Sequence, residues 1–214
     1  GYKSGYASRN VGYNVAIGNY AMSASVSGES NVVIGYQAGD ASVDVDKVIL
    51  VGQGAGGNGV MTSAADGTIA IGYEAGIVIT SGAANTVVGF QAADALTTGG
   101  NNTTIGYRAL STTVDGTHNV AIGNYAMYQP TSTVVGNVAI GYKALQQSTS
   151  ANMTGIVAIG YEAGWNTYTT DSNLSVYVGY KAARGIGNGL VDGNSANVII
   201  GGEAGFNMTG SAQN

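Results

Sequence analysis

One pentapeptide recurs along the whole chain, and it restricts what the chain can fold into more than any other feature. Asn14-Val-Ala-Ile-Gly18 returns as Asn31-Val-Val-Ile-Gly35, Asn119-Val-Ala-Ile-Gly123, Asn137-Val-Ala-Ile-Gly141 and Asn197-Val-Ile-Ile-Gly201. Looser copies end at Gly52, Gly72, Gly89, Gly106, Gly160 and Gly179, and Gly1-Tyr-Lys-Ser-Gly5 fits as the back half of another. The anchoring glycines follow one another at 17, 17, 17, 20, 17, 17, 17, 18, 19, 19 and 22 residues. A short fixed period means stacked units, each of which buries its apolar side only against its neighbours. Residues 1–214 are therefore read as a single repeat domain. Both ends fall inside a repeat, and stacked units need atypical caps. The expectation is a segment of a longer fibrous chain.

Positions counted from the anchoring glycine give the unit its chemistry. Position −1 is Ile or Val in every copy, from Ile17 to Ile200, and position −3 is Val, Ile or Thr. Residues two apart in a strand share a face, so −3 and −1 form one β-branched stripe, the residue type that suits a pleated surface. Position −2 points the other way and is also mostly apolar, often small: Ala16, Val33, Leu50, Ala70, Val87, Thr104, Ala121, Ala139, Ala158, Tyr177 and Ile199. A strand apolar on both sides reads as buried on both. A narrow coil has one interior, so the second layer is expected to meet another chain. The alternative is that small alanines are tolerated on an exposed face.

After the glycine a second short strand is expected. Position +1 is aromatic in Tyr2, Tyr36, Tyr73, Phe90, Tyr107, Tyr142, Tyr161 and Tyr180, and +3 is Ala in every copy but the first. These two would share a face. Position +2 would form a wet face, with Lys143, Glu162, Lys181 and Glu203 alternating in sign as a charge ladder. Position −4 is Asn in seven copies, as at Asn85 and Asn102. Stacked amides can bond along a ladder, or Asn can simply end the preceding turn; the residues alone leave both open.

Composition excludes several classes. Charged residues make up 9% and the net charge is −5, with no basic run, which argues against a nucleic-acid partner. No apolar stretch of about 18 residues is present to insert in a membrane. A single Pro rules out collagen despite 36 Gly. With no Cys and only His118, Ser–His or Cys–His catalysis lacks partners. No enzyme activity and no cofactor are expected.

The most site-like stretch is the loop holding Trp165, Asn166, Tyr168 and Asp171, whose composition suits glycan binding. Its alternative is that Trp165 packs structurally. Asp40, Asp44 and Asp46 could offer oxygens to Ca²⁺, but no calcium-loop signature accompanies them, and a solvated loop is the plainer reading. His118 is read as a solvated loop residue. The other residues singled out are the anchoring glycines themselves: Gly18, Gly35, Gly72, Gly106, Gly123, Gly141, Gly160, Gly179 and Gly201.

The unit Asn-x-Val-x-Ile-Gly-Tyr-x-Ala, as at Val138-Ala-Ile-Gly141, resembles the repeats of YadA-like β-roll heads in trimeric autotransporter adhesins. The longer form Ile140-Gly-Tyr-Lys-Ala-Leu145 is similar to repeats of bacteriophage tail-fibre proteins. The period and the aromatic after the glycine depart from the adhesin pattern. The resemblance implies an all-β, left-handed parallel β-roll or solenoid with two short strands per turn, assembled as a homotrimer, and the anchoring glycines count about twelve turns. It implies an extracellular fibre on a virion or a bacterial surface, with a role in host attachment and with itself, and a host glycan or protein, as partners. A carbohydrate-active tailspike is the alternative of another class; scarce acids and short regular turns argue against it. An ice-binding solenoid would want Thr at a fixed register, and a hexapeptide acyltransferase helix would want three matching hexads per turn.

Overall fold

The structure is a computed structural model and describes residues 1–7, 12–129, 133–147, 152–167, 174–185 and 196–207. Its strands, all three residues long, are β1 (Val15–Ile17), β2 (Val32–Ile34), β3 (Ile49–Val51), β4 (Ile69–Ile71), β5 (Thr86–Val88), β6 (Thr103–Ile105), β7 (Val120–Ile122), β8 (Thr133–Val135), β9 (Val138–Ile140), β10 (Asn152–Thr154), β11 (Val157–Ile159), β12 (Val176–Val178) and β13 (Val198–Ile200). A 3₁₀ turn at Ser63–Ala65 is the one helical element among the described residues. Eleven strands, all but β8 and β10, form a single parallel sheet in chain order. Parallel pairing of successive short strands requires the chain to circle back between them, and the result is a β-solenoid. Every triplet pairs in the register that the repeat predicts, for example Ala16↔Val33 and Val33↔Leu50. The 20- and 22-residue spacings keep that register, as Leu50↔Ala70 and Tyr177↔Ile199 show. Extra residues are thus absorbed in the loops, where the chain is not bound to stay in step. Where the spacing grows to 18 and 19, β8 and β10 form a second small parallel sheet, joined by a bridge from Thr117 to Val135.

The interior belongs to position −2. Val33, Leu50, Ala70, Val87, Thr104, Ala121, Ala139, Ala158 and Tyr177 are buried, whereas the β-branched −3 and −1 residues face outward. Ile17 and Ile200 are 56% and 66% exposed. Within one chain a single sheet face is covered, the one that position −2 presents to the interior of the coil. Inside the coil −2 packs beside +4, and in several turns the bulk at the two positions is complementary. Small Ala16, Ala121 and Ala139 are matched by large Met22, Met127 and Leu145, and large Leu50 by Gly56. A Cβ on Gly56 would lie 3.1 Å from both Leu50 methyls, tighter than ordinary contact. Ala158 with Gly164 is filled from the turns on either side, by Leu145 and Tyr177, which would stand 2.8 and 3.0 Å from a Cβ on Gly164.

The expected second strand is also corrected. Residues after the anchoring glycine form turns. The +3 N–H donates back to the glycine carbonyl, as Ala75 to Gly72 at 3.4 Å, and a second turn links +5 to +2, as Trp165 to Glu162 at 3.2 Å. Positions +2 and +4 both take positive φ, for example Arg108 (50°) and Leu110 (50°). Alternation of left-handed residues breaks the two-residue period of a strand, so +1 and +3 separate: the +3 alanines are buried, while the +1 aromatics lie outside. The anchoring glycine is required twice over. Its φ is +129° to +140° where a further turn follows, and a methyl there would overlap the carbonyl oxygen of the next anchor, as Gly106 on Gly123.

The −4 asparagines do form a ladder. Asn102 Nδ2 donates to Asn85 Oδ1 at 3.0 Å, Asn119 Nδ2 to Asn102 Oδ1 at 3.0 Å and Asn137 Nδ2 to Asn119 Oδ1 at 3.1 Å. Each Oδ1 also accepts the backbone N–H of the next Asn, at 2.9–3.0 Å. Each Nδ2 also donates to a loop carbonyl, as Asn102 to Gly116 at 2.7 Å. All four side chains are buried, and a buried amide satisfied on both atoms stabilises rather than penalises. The ladder and the turn-ending role are one arrangement: the same amide ties the preceding loop and the neighbouring turn.

Candidate functional surface

The outward face of the eleven-strand sheet carries two apolar rows of β-branched residues, −3 and −1. Beside them, across the side-chain-free column of anchoring glycines, runs a row of aromatic rings. Tyr73 stacks on Phe90 at 4.8 Å between centroids, Phe90 on Tyr107 at 5.5 Å, Tyr142 on Tyr161 at 5.1 Å and Tyr161 on Tyr180 at 5.3 Å, with interplanar angles of 16–26°. Near-parallel offset rings at such spacing attract beyond their area burial. In the two copies with Asn at +1, the ring moves to +2: Tyr20 and Tyr125 close the row edge-on against Tyr2 and Tyr107, at 5.5 and 5.1 Å. Asn19 and Asn124 accept the backbone N–H of those same neighbours, at 2.9 and 3.1 Å. Lys143 and Lys181 lie over Tyr142 and Tyr180, with Nζ 5.2 and 4.7 Å from the ring centroids. The +2 charge ladder therefore does not form as expected. The lysines turn to rings, and Glu162, buried at 7% exposure, pairs instead with Arg184 at 2.9 Å. A desolvated carboxylate needs such a partner.

Trp165 belongs to another column. At +5, Gln146, Trp165, Arg184 and Phe206 follow one another up the coil. The indole Nε1–H donates to Gln146 Oε1 at 3.2 Å, and the Arg184 guanidinium carbon stands 4.6 Å from the Trp165 ring centre and 5.4 Å from that of Phe206. Arg184 thus covers one face of the ring that a sugar would need. Asn166 sits in the turn with φ +59° and donates its N–H to the Gln146 carbonyl at 2.9 Å. Tyr168 and Asp171 lie outside the described residues.

The acids serve the backbone and each other's turns. Asp44 accepts from Ser27 Oγ at 2.7 Å, Asp46 from the Glu29 N–H at 2.6 Å and Asp66 from the Asp46 N–H at 2.8 Å. Burial pushes the Asp40 carboxyl above its ordinary range, opposed by hydrogen bonds from backbone and Gln37. Among the described residues no three His, Cys, Asp or Glu side chains converge as a metal site would need. His118 is an exposed turn residue with φ +58°. On the flank, Glu74 accepts from Gln91 Nε2 at 2.8 Å, Gln91 accepts from Arg108 Nε at 3.0 Å, and Arg108 lies over Tyr128. Asp94 accepts the Ser111 hydroxyl, and its carboxyl is raised by burial against the opposing effects of Ser111 and Arg108. No helix among the described residues is long and apolar enough to cross a membrane.

The sequence pattern contains the aromatic row but hides its setting. Aromatics at +1 are visible by spacing, and only the positive φ at +2 separates them from the buried alanines. The fuller signal is the Gly-Asn-Tyr pair at 18–20 and 123–125, where the ring shifts one place and still meets the ring of the preceding turn. No family model, curated protein or solved structure matches this chain.

Proposed function

We propose that the chain is a shaft segment of a homotrimeric extracellular fibre, of the kind that bacteriophage tail fibres use in attachment to the host cell. The observation that carries this reading is the apolar outward face that runs along all eleven strands. Strands ~4.8 Å apart make that face roughly 50 Å long. The strip from −3 to +1, at ~3.3 Å per residue, is roughly 13 Å wide, giving on the order of 650 Å². That approaches the ~800 Å² per partner of a specific interface, and monomeric proteins seldom leave so large an apolar strip in water. The rows at −3 and −1 form the packing surface, and the aromatic row lies along its margin. The number three and the left-handed coil come from the resemblance of the repeats to adhesin heads and phage fibres, and the count of twelve turns comes from the twelve anchoring glycines. The head of a bacterial trimeric adhesin would use the same strip. Recognition of a host glycan or protein falls to the loops, which vary while the sheet does not.

The test is the molecular mass in solution, by light scattering after size exclusion. A species of three times the 21.3 kDa chain is expected. A stable monomer at micromolar concentration would overturn the reading.

A further inference from the structure

We propose that the turn from Thr103 to Asn119 is a joint that divides the coil into two units, each able to unfold while the other stays folded. The apolar interior is not continuous. One buried cluster runs from Ala21 to Leu96, and a second from Ala109 to Ala183. Between Leu96 and Ala109 the interior changes chemistry. Column −2 reads Ala70, Val87, Thr104 and Ala121, and column +7 reads Ile79, Leu96 and Thr113. Both columns place a threonine in this one turn. Thr104 is 0% and Thr113 3% exposed, and among the described residues neither hydroxyl has a hydrogen-bond partner.

Bulk changes sides at the same place. Positions +4 and +7 pack together: a Cβ on Gly76 would lie 2.7 Å from Ile79 Cδ1. In the two turns before the joint the large partner is at +7, with Gly76 beside Ile79 and Ala93 beside Leu96. From the joint onward it is at +4, in Leu110, Met127 and Leu145. Leu96 and Leu110 therefore stand in different columns and in different clusters. In a stacked coil each turn is held by its own contacts and by those with its two neighbours, so cooperativity ends where apolar contact between turns is least. A buried hydroxyl without a partner weakens that place further, because its lost hydration is not offset. What crosses the joint is polar. The strands stay paired, Thr86 with Thr103 and Thr103 with Val120. The amide bonds from Asn102 to Asn85 and from Asn119 to Asn102 cross it as well. These bonds keep the two units in register, while separate cores let each open at its own free energy. The joint is built within one chain and holds for a monomer or a trimer.

The test is native-state hydrogen exchange of the full chain, followed by mass spectrometry through a series of denaturant concentrations. Amides of β2–β5 and of β7–β11 are expected to fall into two groups, each with its own denaturant dependence. Thr104→Val should join the groups and slow exchange in the faster one about tenfold, because it removes a buried unpartnered hydroxyl at nearly constant volume. The change suits the fold, as Val33 and Val87 hold the same place in their turns. Thr86→Val makes the same substitution on the outward face and should leave the two groups apart. A single common denaturant dependence in the native chain would overturn the proposal. So would folded Thr104→Val that exchanges faster or keeps two separate groups.

Discussion

Asn102 is the place where one substitution separates a supporting ladder from a decorative one. Its Oδ1 accepts the backbone N–H and the Nδ2 of Asn119, both at 3.0 Å, and its Nδ2 donates to Asn85 Oδ1 at 3.0 Å and to the Gly116 carbonyl at 2.7 Å. Asn102→Leu keeps the volume and removes all four bonds. Two of the partners stay satisfied: Asn85 Oδ1 keeps the Asn102 backbone N–H at 2.9 Å, and Asn119 Nδ2 keeps the Val134 carbonyl at 2.9 Å. The Asn119 N–H and the Gly116 carbonyl are left without a partner inside the coil. Each stranded group costs about 1–3 kcal/mol, and the buried leucine returns about 1.5–3 kcal/mol, so the net loss is about 2 kcal/mol. Stacked repeats can unfold in parts, so a local measurement is needed beside the denaturation midpoint. Native-state hydrogen exchange at the Asn119 amide should speed up about thirtyfold, the equivalent of that energy at ~1.4 kcal/mol per decade. The same change at Asn14, half-buried near the edge of the sheet, should do less. If Asn102→Leu leaves both the midpoint and the Asn119 exchange rate unchanged, the ladder does not hold the turns together.

Three further outcomes follow from the packing, the buried acids and the outward face. Leu50→Ala should cost about 2–5 kcal/mol by the cavity it leaves. The double variant Leu50→Ala, Gly56→Met reproduces the Ala16–Met22 pairing and should recover more than half of that in chemical denaturation. Asp94, raised by burial, titrates higher folded than unfolded. Its charged form is the one that folding disfavours, so stability should be greatest below the unfolded value and fall as pH rises from there through the folded one. Asp94→Asn, which can still accept from Ser111, should flatten that fall in thermal midpoints taken from pH 3 to 6. Ile105→Lys, on the outward face, should leave the monomer fold intact and dissociate the proposed trimer in light scattering, whereas Thr112→Lys on an exposed loop should not.

The repeat spacing by itself determined a great deal about this protein. It placed every strand triplet in the main sheet, and it fixed their register and the bend at each anchoring glycine, because strands that stack must stay in step while loops need not. It also placed the ladder asparagines and the aromatic row in columns. Two features of the core were legible and escaped a position-by-position reading: the exchange of bulk between −2 and +4, and the ring that moves to +2 beside Asn19 and Asn124. Both are relations between columns, visible only when two positions are compared copy by copy. The site-like loop was less legible, since nothing in its composition says that Arg184, 19 residues on, lies over Trp165.

Which way the strand faces was decided only by the tertiary structure. A two-residue period tells that Val15 and Ile17 share a face and that Ala16 has the other, but both faces are apolar, so hydrophobicity cannot choose between them. Volume chooses. The interior is already filled by position −2 together with +4 and loop side chains such as Met61, Ile79 and Leu96, and it has no space for two β-branched rows as well. Those rows are left outside, and with them the strip on which the proposed assembly of this chain depends.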